Sequence, residues 1–205
     1  MASVVQIGSP EKTQRIRQVQ IFTIVWMIVE VVVSLFSAWR GRSPALLAFG
    51  GDSIVELASA VVVLWRFRSG SACEGKESRT ARIAGALLLV LAACVAIVSA
   101  MSLIGYGEPK PNVTGIVILL LAALVMPLLA REKRKLSTLT GSAALRADAT
   151  ESVVCAYLSL AALIGVGVNT VWHIAWADPA AALVIVPFII WEGREAIRGK
   201  PCGCQ

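Results

Sequence analysis

Residues 43–65 read SPALLAFGGDSIVELASAVVVLW. The stretch is long and apolar enough to cross a bilayer as a helix, which needs about 20 such residues. Yet Asp52 and Glu56 lie in its middle. An acidic side chain at the centre of a membrane costs roughly 2.5–3.5 kcal/mol on insertion scales, so each requires a compensating role. A spacing of four places both on one helix face. Residues 145–160, LRADATESVVCAYLSL, repeat the arrangement with Glu151 and Cys155. Two such pairs on two apolar segments point to a cation site between facing helices.

The rest of the chain fits a membrane protein. Of 205 residues, 57% are hydrophobic, against about 45–50% in a soluble domain. Mean hydropathy is +0.76. Apolar segments recur at about 20–39, 44–65, 83–105, 113–130, 145–168 and 173–191. The fold class expected is all-α, a polytopic protein of six transmembrane helices. Residues 1–19 form a cytoplasmic N-terminal segment, 20–191 the transmembrane domain and 192–205 a short cytoplasmic tail. The connections 66–82 and 131–144 are polar and basic.

Orientation follows from Lys and Arg, which favour the cytoplasmic side. Sixteen fall on one side, including the run from Arg131 to Lys135, whereas Arg40, Arg42 and Lys110 fall on the other. Both termini are therefore expected inside. The net charge of +6 then reflects a membrane face and not nucleic-acid binding. Trp39, Trp172 and Trp176 mark the outer interface and Trp65 and Trp191 the inner one, while Trp26 reads as packing. Met1 to Gln18 is polar and carries no cleavable signal pattern. Five cysteines, two in spans and three on the inner side, make no disulfide framework. The expected location is a bacterial inner membrane.

The spans differ in chemistry. Glu30, Asp52, Glu56, Asp148, Glu151 and Asp178 are six of the thirteen acidic residues, all at or near membrane depth. Spans three and four carry no acid, base or amide in their apolar cores and read as scaffold, and no intramembrane Lys or Arg is in sight as a partner for the acids. Asp52, Glu56 and Glu151 offer carboxylate oxygens and Cys155 a thiolate. Oxygen donors alone suit Mg, Ca or Mn, whereas a thiolate shifts preference toward Zn, Cd, Co or Fe. Four donors suit a tetrahedral zinc site, at which protons compete for the same atoms. Cys155 also fits a plain packing residue. Glu30, Asp148 and Asp178 are expected to orient ligands or relay protons. Cys202 and Cys204 form either a second metal site or an unstructured tail. Gly50 and Gly51 allow close helix approach. Asn112-Val113-Thr114 is a formal glycosylation sequon, too near span four to be a good acceptor.

These motifs together resemble those of the cation diffusion facilitator family, the cation efflux proteins, over about residues 12–198. The family motif in span two is S-x-A-L-L-A-D-A-x-H-x-x-x-D. Asp52 stands here at its His position and Glu56 at its Asp position. In span five Ala147-Asp148-Ala149 is intact, with Glu151 and Cys155 at the corresponding places. Glu30 and the run Trp176-Ala177-Asp178-Pro179 are further matches. The departures are the absence of His from either motif, and Phe49 where the family often has Asp. The only His, His173, lies in an outer loop and reads as interfacial. The resemblance implies six spans, a metal site made by spans two and five, and export of divalent metal in exchange for protons. It also implies that this chain is of the membrane-only branch, without the C-terminal cytoplasmic domain. A homodimer would then rest on membrane contacts alone.

Two functions follow. The first is a secondary transporter of divalent transition metals, zinc foremost, with Cd, Co, Fe and Mn as alternatives and membrane lipid as its surroundings. The second is a non-transporting metal sensor or accessory subunit. An intramembrane enzyme is disfavoured, since no Ser/His or Cys/His dyad and no HExxH motif occurs.

Overall fold

The computed structural model describes residues 10–69 and 74–198. The described residues form six α-helices and no strand: α1 Pro10–Gly41, α2 Pro44–Ser69, α3 Glu74–Leu103, α4 Val113–Thr140, α5 Ala143–Trp172 and α6 Ala177–Arg198. The expected all-α class is what is observed. Cys73, Cys202 and Cys204 lie outside the described residues.

The distribution of polarity is the reverse of a soluble protein's. On α1 the outward residues Phe22, Val25, Ile28 and Val32 are apolar, while the inward residues Gln20, Thr23, Glu30, Ser34 and Ser37 are polar. Both sets repeat at the three- and four-residue steps of a helix. A surface of this kind is stable in hydrocarbon, where backbone groups are satisfied within each helix. Helices α1 to α5 each contain a stretch long and apolar enough to cross a membrane. The described part of α6 is outside that set because Asp178, Glu192 and Arg194 interrupt it.

The helices outrun the expected spans on the basic side. The connection expected at 131–144 is mostly helix, because α4 continues to Thr140. It ends at Gly141, whose φ of 65° is the left-handed conformation that glycine adopts without strain. Ser142 then caps α5 by accepting a hydrogen bond from the Leu145 amide. Asn112 caps α4 through Gly115 N and donates its Nδ2 to Ser37 O, so the sequon side chain is committed to structure. Helix α6 likewise continues through Glu192, a position expected in the tail, as far as Arg198.

Helix α2 is the hub. It packs against α1, α3, α5 and α6, while α1 also meets α4, α4 meets α5, and α6 meets both α3 and α5. Small residues permit these approaches. A Cβ on Gly51 would fall 2.4 Å from Leu91 Cδ2 of α3, and one on Gly50 would fall 2.7 Å from Ser34 Oγ of α1. A Cβ on Gly165 would lie 2.3 Å from Ala181 Cβ and 3.0 Å from Ala177 O of α6. Side chains can yield but backbone cannot, so Gly165 marks the tightest constraint of the three.

Gly165→Ala is therefore expected to force α5 and α6 apart and to destabilise the protein by about 1–3 kcal/mol. Gly167→Ala is the control, since nothing lies within 4 Å of its added Cβ. Thermal unfolding of the detergent-solubilised variants decides the matter. An unchanged melting temperature for Gly165→Ala would mean that the α5/α6 approach is looser than described.

Candidate cation site

The inward face of α4 carries an unexpected charge. Met126, Leu129, Ala130, Lys133, Leu136 and Ser137 form one buried stripe. Lys133 continues that stripe and is fully buried. Its Nζ lies 3.1 Å from Asp148 Oδ1, 3.6 Å from Glu56 Oε1 and 2.8 Å from Ser152 Oγ. Two expectations are corrected here. Residues 113–130 carry no base, as expected, but α4 continues beyond them, its connection is helix and not loop, and the acids do have a buried lysine as partner. The basic run Arg131 to Lys135 is not a loop, and its members differ in phase. Lys133 points inward, while Arg131, Arg134 and Lys135 are exposed.

Asp148 and Glu56 use this cation differently. Asp148 has both oxygens engaged, Oδ1 by Lys133 and Oδ2 by Gln20 Nε2 at 2.7 Å. It anchors α5 to α4 and α1. Glu56 accepts from Ser152 Oγ and faces Lys133 through Oε1 alone. Its Oε2 is buried without a hydrogen-bond partner.

Glu30 is the second knot. Its Oε2 accepts from Trp26 Nε1 at 2.6 Å, and its Oε1 from Ser53 Oγ at 2.7 Å and Cys155 Sγ at 3.5 Å. It thereby ties α1 to α2 and α5, with both oxygens used. Trp26 is a hydrogen-bond donor to this knot as well as packing. The Cys155 thiol, fully buried, faces Glu56 as well as Glu30.

Asp52, one turn before Glu56 on α2, and Glu151, one turn before Cys155 on α5, complete the set of acids in this interior. Asp52 is buried, with Glu192 of α6 as a close electrostatic neighbour. Glu151 bonds Ser59 of α2. Asp52 and Glu151 each lie within electrostatic reach of Glu56 and Glu192. Glu151 Oε2 is a second buried oxygen without a hydrogen-bond partner. Glu192 is thus a member that the sequence reading missed. Its signal was helical phase, since Ala182, Ile185 and Ile189 are buried on α6 and Glu192 follows three residues later.

The four expected ligands Asp52, Glu56, Glu151 and Cys155 therefore share one interior region between α2 and α5. Among the described residues, however, no three His, Cys, Asp or Glu side chains are arranged closely enough to hold a metal ion. Asp178 stands apart from this region. Its Oδ1 accepts from the Ala45 amide at 3.0 Å and so caps the N-terminal end of α2. Ala45 precedes Asp52 by seven residues, roughly 10 Å along a helix. His173 closes α5 in the left-handed conformation and is exposed.

A family model described as the cation efflux transmembrane domain matches residues 77–199, more than half of the chain. The matched region contains Lys133, Asp148, Glu151, Cys155 and Glu192, while Asp52 and Glu56 precede it. No curated protein sequence matches the chain.

Removing one partner of a buried ion pair leaves an uncompensated charge and costs about 3–5 kcal/mol, against about 0–1 kcal/mol for an exposed pair. Asp148→Ala is expected near the lower end of the first range, because Lys133 keeps Glu56. Glu132→Ala, which breaks the exposed Arg15–Glu132 pair at 3.1 Å, is expected to be nearly neutral. Thermal unfolding in detergent compares them, and equal stability of the two variants would contradict the buried pairing.

Proposed function

The chain belongs to the cation efflux family of metal cation transporters, and from that premise we propose that it exchanges a divalent transition metal for protons through a site between α2 and α5. The protein is an integral membrane protein. The observation that carries the reading is the pair of buried, unpartnered carboxylate oxygens, Glu56 Oε2 on α2 and Glu151 Oε2 on α5. An unsatisfied buried acceptor costs about 1–3 kcal/mol, more where it is charged. Two of them on touching helices, beside Asp52 and Cys155, are an arrangement that a cation would relieve.

The donor set favours zinc. Three carboxylates with one thiol suit a borderline-soft ion better than Mg or Ca, and Cd, Co, Fe and Mn follow. Protons are the natural counter-ion on chemical grounds. The Asp52 and Glu192 carboxyl groups lie within electrostatic reach of each other, and protons compete with an entering cation for the same oxygens. Closure of α2, α5 and α6 about the ion would bring the donors together. A site approached from each side in turn follows the general logic of secondary transporters. Asp52, Glu56, Glu151 and Cys155 are the ligands in this reading. Glu30 and Asp148 hold them in place, and Asp178 fixes the end of α2. In this reading both termini face the cytoplasm, the side that the charge bias favours, the membrane is a bacterial inner membrane, and a dimer would form through lipid-embedded faces.

The test is flux of Zn, Cd, Mn, Fe and Co into proteoliposomes under an imposed pH gradient. Wild type is expected to take up zinc in step with the gradient. Asp52→Ala and Glu151→Gln are expected to fall to the rate of protein-free vesicles while eluting as folded protein. Zinc bound at one site per chain with no flux of any metal would favour a sensor or accessory subunit instead. Normal flux in Asp52→Ala would remove that residue from the site.

A further inference from the structure

Lys133 deserves a role beyond pairing. Its ammonium sits among the side chains assigned to the ion, on a helix that contributes none of them. It touches Asp148, whose two oxygens are both used, and Glu56, which keeps one oxygen unpartnered. The two contacts are therefore unequal. Asp148 lies at 3.1 Å and holds the ammonium together with Ser152 at 2.8 Å, while Glu56 lies at 3.6 Å. The nearer carboxylate is a tether and the farther one an electrostatic partner that is also a candidate ligand.

We propose that Lys133 is a built-in cation that competes with the transported metal for Glu56, weakening metal binding so that the ion can leave. The proposal rests on the metal-transport reading of the same site.

The argument is electrostatic. A metal ion that binds Glu56 must share that carboxylate with a positive charge already beside it. The ammonium cannot retreat into solvent, because it is fully buried, and Asp148 holds it close by. Repulsion between the two cations therefore persists in the bound complex. Very tight binding would oppose release, and a fixed positive charge at the edge of the site is a direct way to limit it. Helix α4 thus acts on the ion without providing a ligand. The same charge would disfavour a second cation beside the first.

The effect separates from a structural one in binding and in kinetics. Lys133→Met keeps length and packing but removes the charge. It is expected to bind zinc at least about tenfold more tightly in detergent by titration calorimetry, one power of ten being modest for a close charge pair. In proteoliposomes its KM for zinc should fall, and its maximal rate should fall with it as release slows. A merely structural role would lower the amount of active protein and leave KM unchanged. Lys133→Arg keeps the charge and should bind no more tightly than wild type. The double variant Lys133→Met, Asp148→Asn removes the orphaned carboxylate charge and guards against misfolding, and it too should bind more tightly. Zinc bound by wild type with equal or weaker affinity in both the single Met and the double variant would overturn the inference alone. Failure of wild type and all variants to bind or move any metal would overturn the metal reading and the inference together.

Discussion

The buried contact between the Lys133 ammonium and the carboxylates of Asp148 and Glu56 is the interaction on which the interior of this protein turns. In a medium of low dielectric an isolated charge is very costly, and a charge with a partner is tolerable only where hydrogen bonds satisfy what remains. Here Ser152 and Gln20 complete the set. The cluster draws together α1, α2, α4 and α5, four of the six helices. Lipid-facing surfaces cannot do this, because apolar side chains gain little by leaving hydrocarbon for one another. Polar contacts and close packing must supply the association, and the inward faces of α1, α2 and α5 are accordingly rich in serine.

That constraint explains why the acids differ in what they do although the sequence presents them alike. Glu30 has three donors and is spent on joining helices. Asp148 has two and is spent on holding the lysine. Asp178 is spent on the first turn of α2. Of the five intramembrane acids on α1, α2 and α5, Glu56 and Glu151 each keep a buried oxygen with no hydrogen-bond partner, as does Asp178 of α6 through its Oδ2. A carboxylate with all its lone pairs engaged is scaffold, whereas one with a lone pair in hand can accept a ligand. Hydrogen-bond satisfaction thus sets Glu56 and Glu151 apart from Glu30 and Asp148, whereas Asp178 is set apart by its place at the first turn of α2.

Much of the fold was legible because hydrocarbon imposes so simple a pattern. Six apolar segments gave six helices, and the i,i+4 pairs on α2 and α5 proved to lie on touching helices. What was not legible depended on phase at the helix ends. Lys133 sits in the run REKRK, which hydropathy reads as a polar flank. Its inward direction shows only when the stripe Met126, Leu129, Ala130 is carried one more turn. Glu192 was lost for the same reason at the end of α6. Neither side chain belongs to a motif, and both are long enough to reach inward from the edge of the membrane, so composition windows discard the residues that geometry brings to the site.

The position of these two residues bears on how the site would operate. Asp52 and Glu56 belong to α2, which packs against α6 as well as α5. Through Glu192 the site is tied to α6, and through Lys133 to α4. Any displacement of α2 along its neighbours must therefore alter two contacts at once, the carboxyl pair with Glu192 and the ion pair with Lys133. The first contact sets two carboxyl groups side by side and the second sets a cation beside a carboxylate. A movement that separates Asp52 from Glu192 frees an acid to take a cation, and one that brings Glu56 closer to Lys133 resists that cation. At the proposed site, binding and release would then depend on which of the two partners α2 approaches. A site built from α2 and α5 alone would have ligands but nothing to change their appetite for the ion.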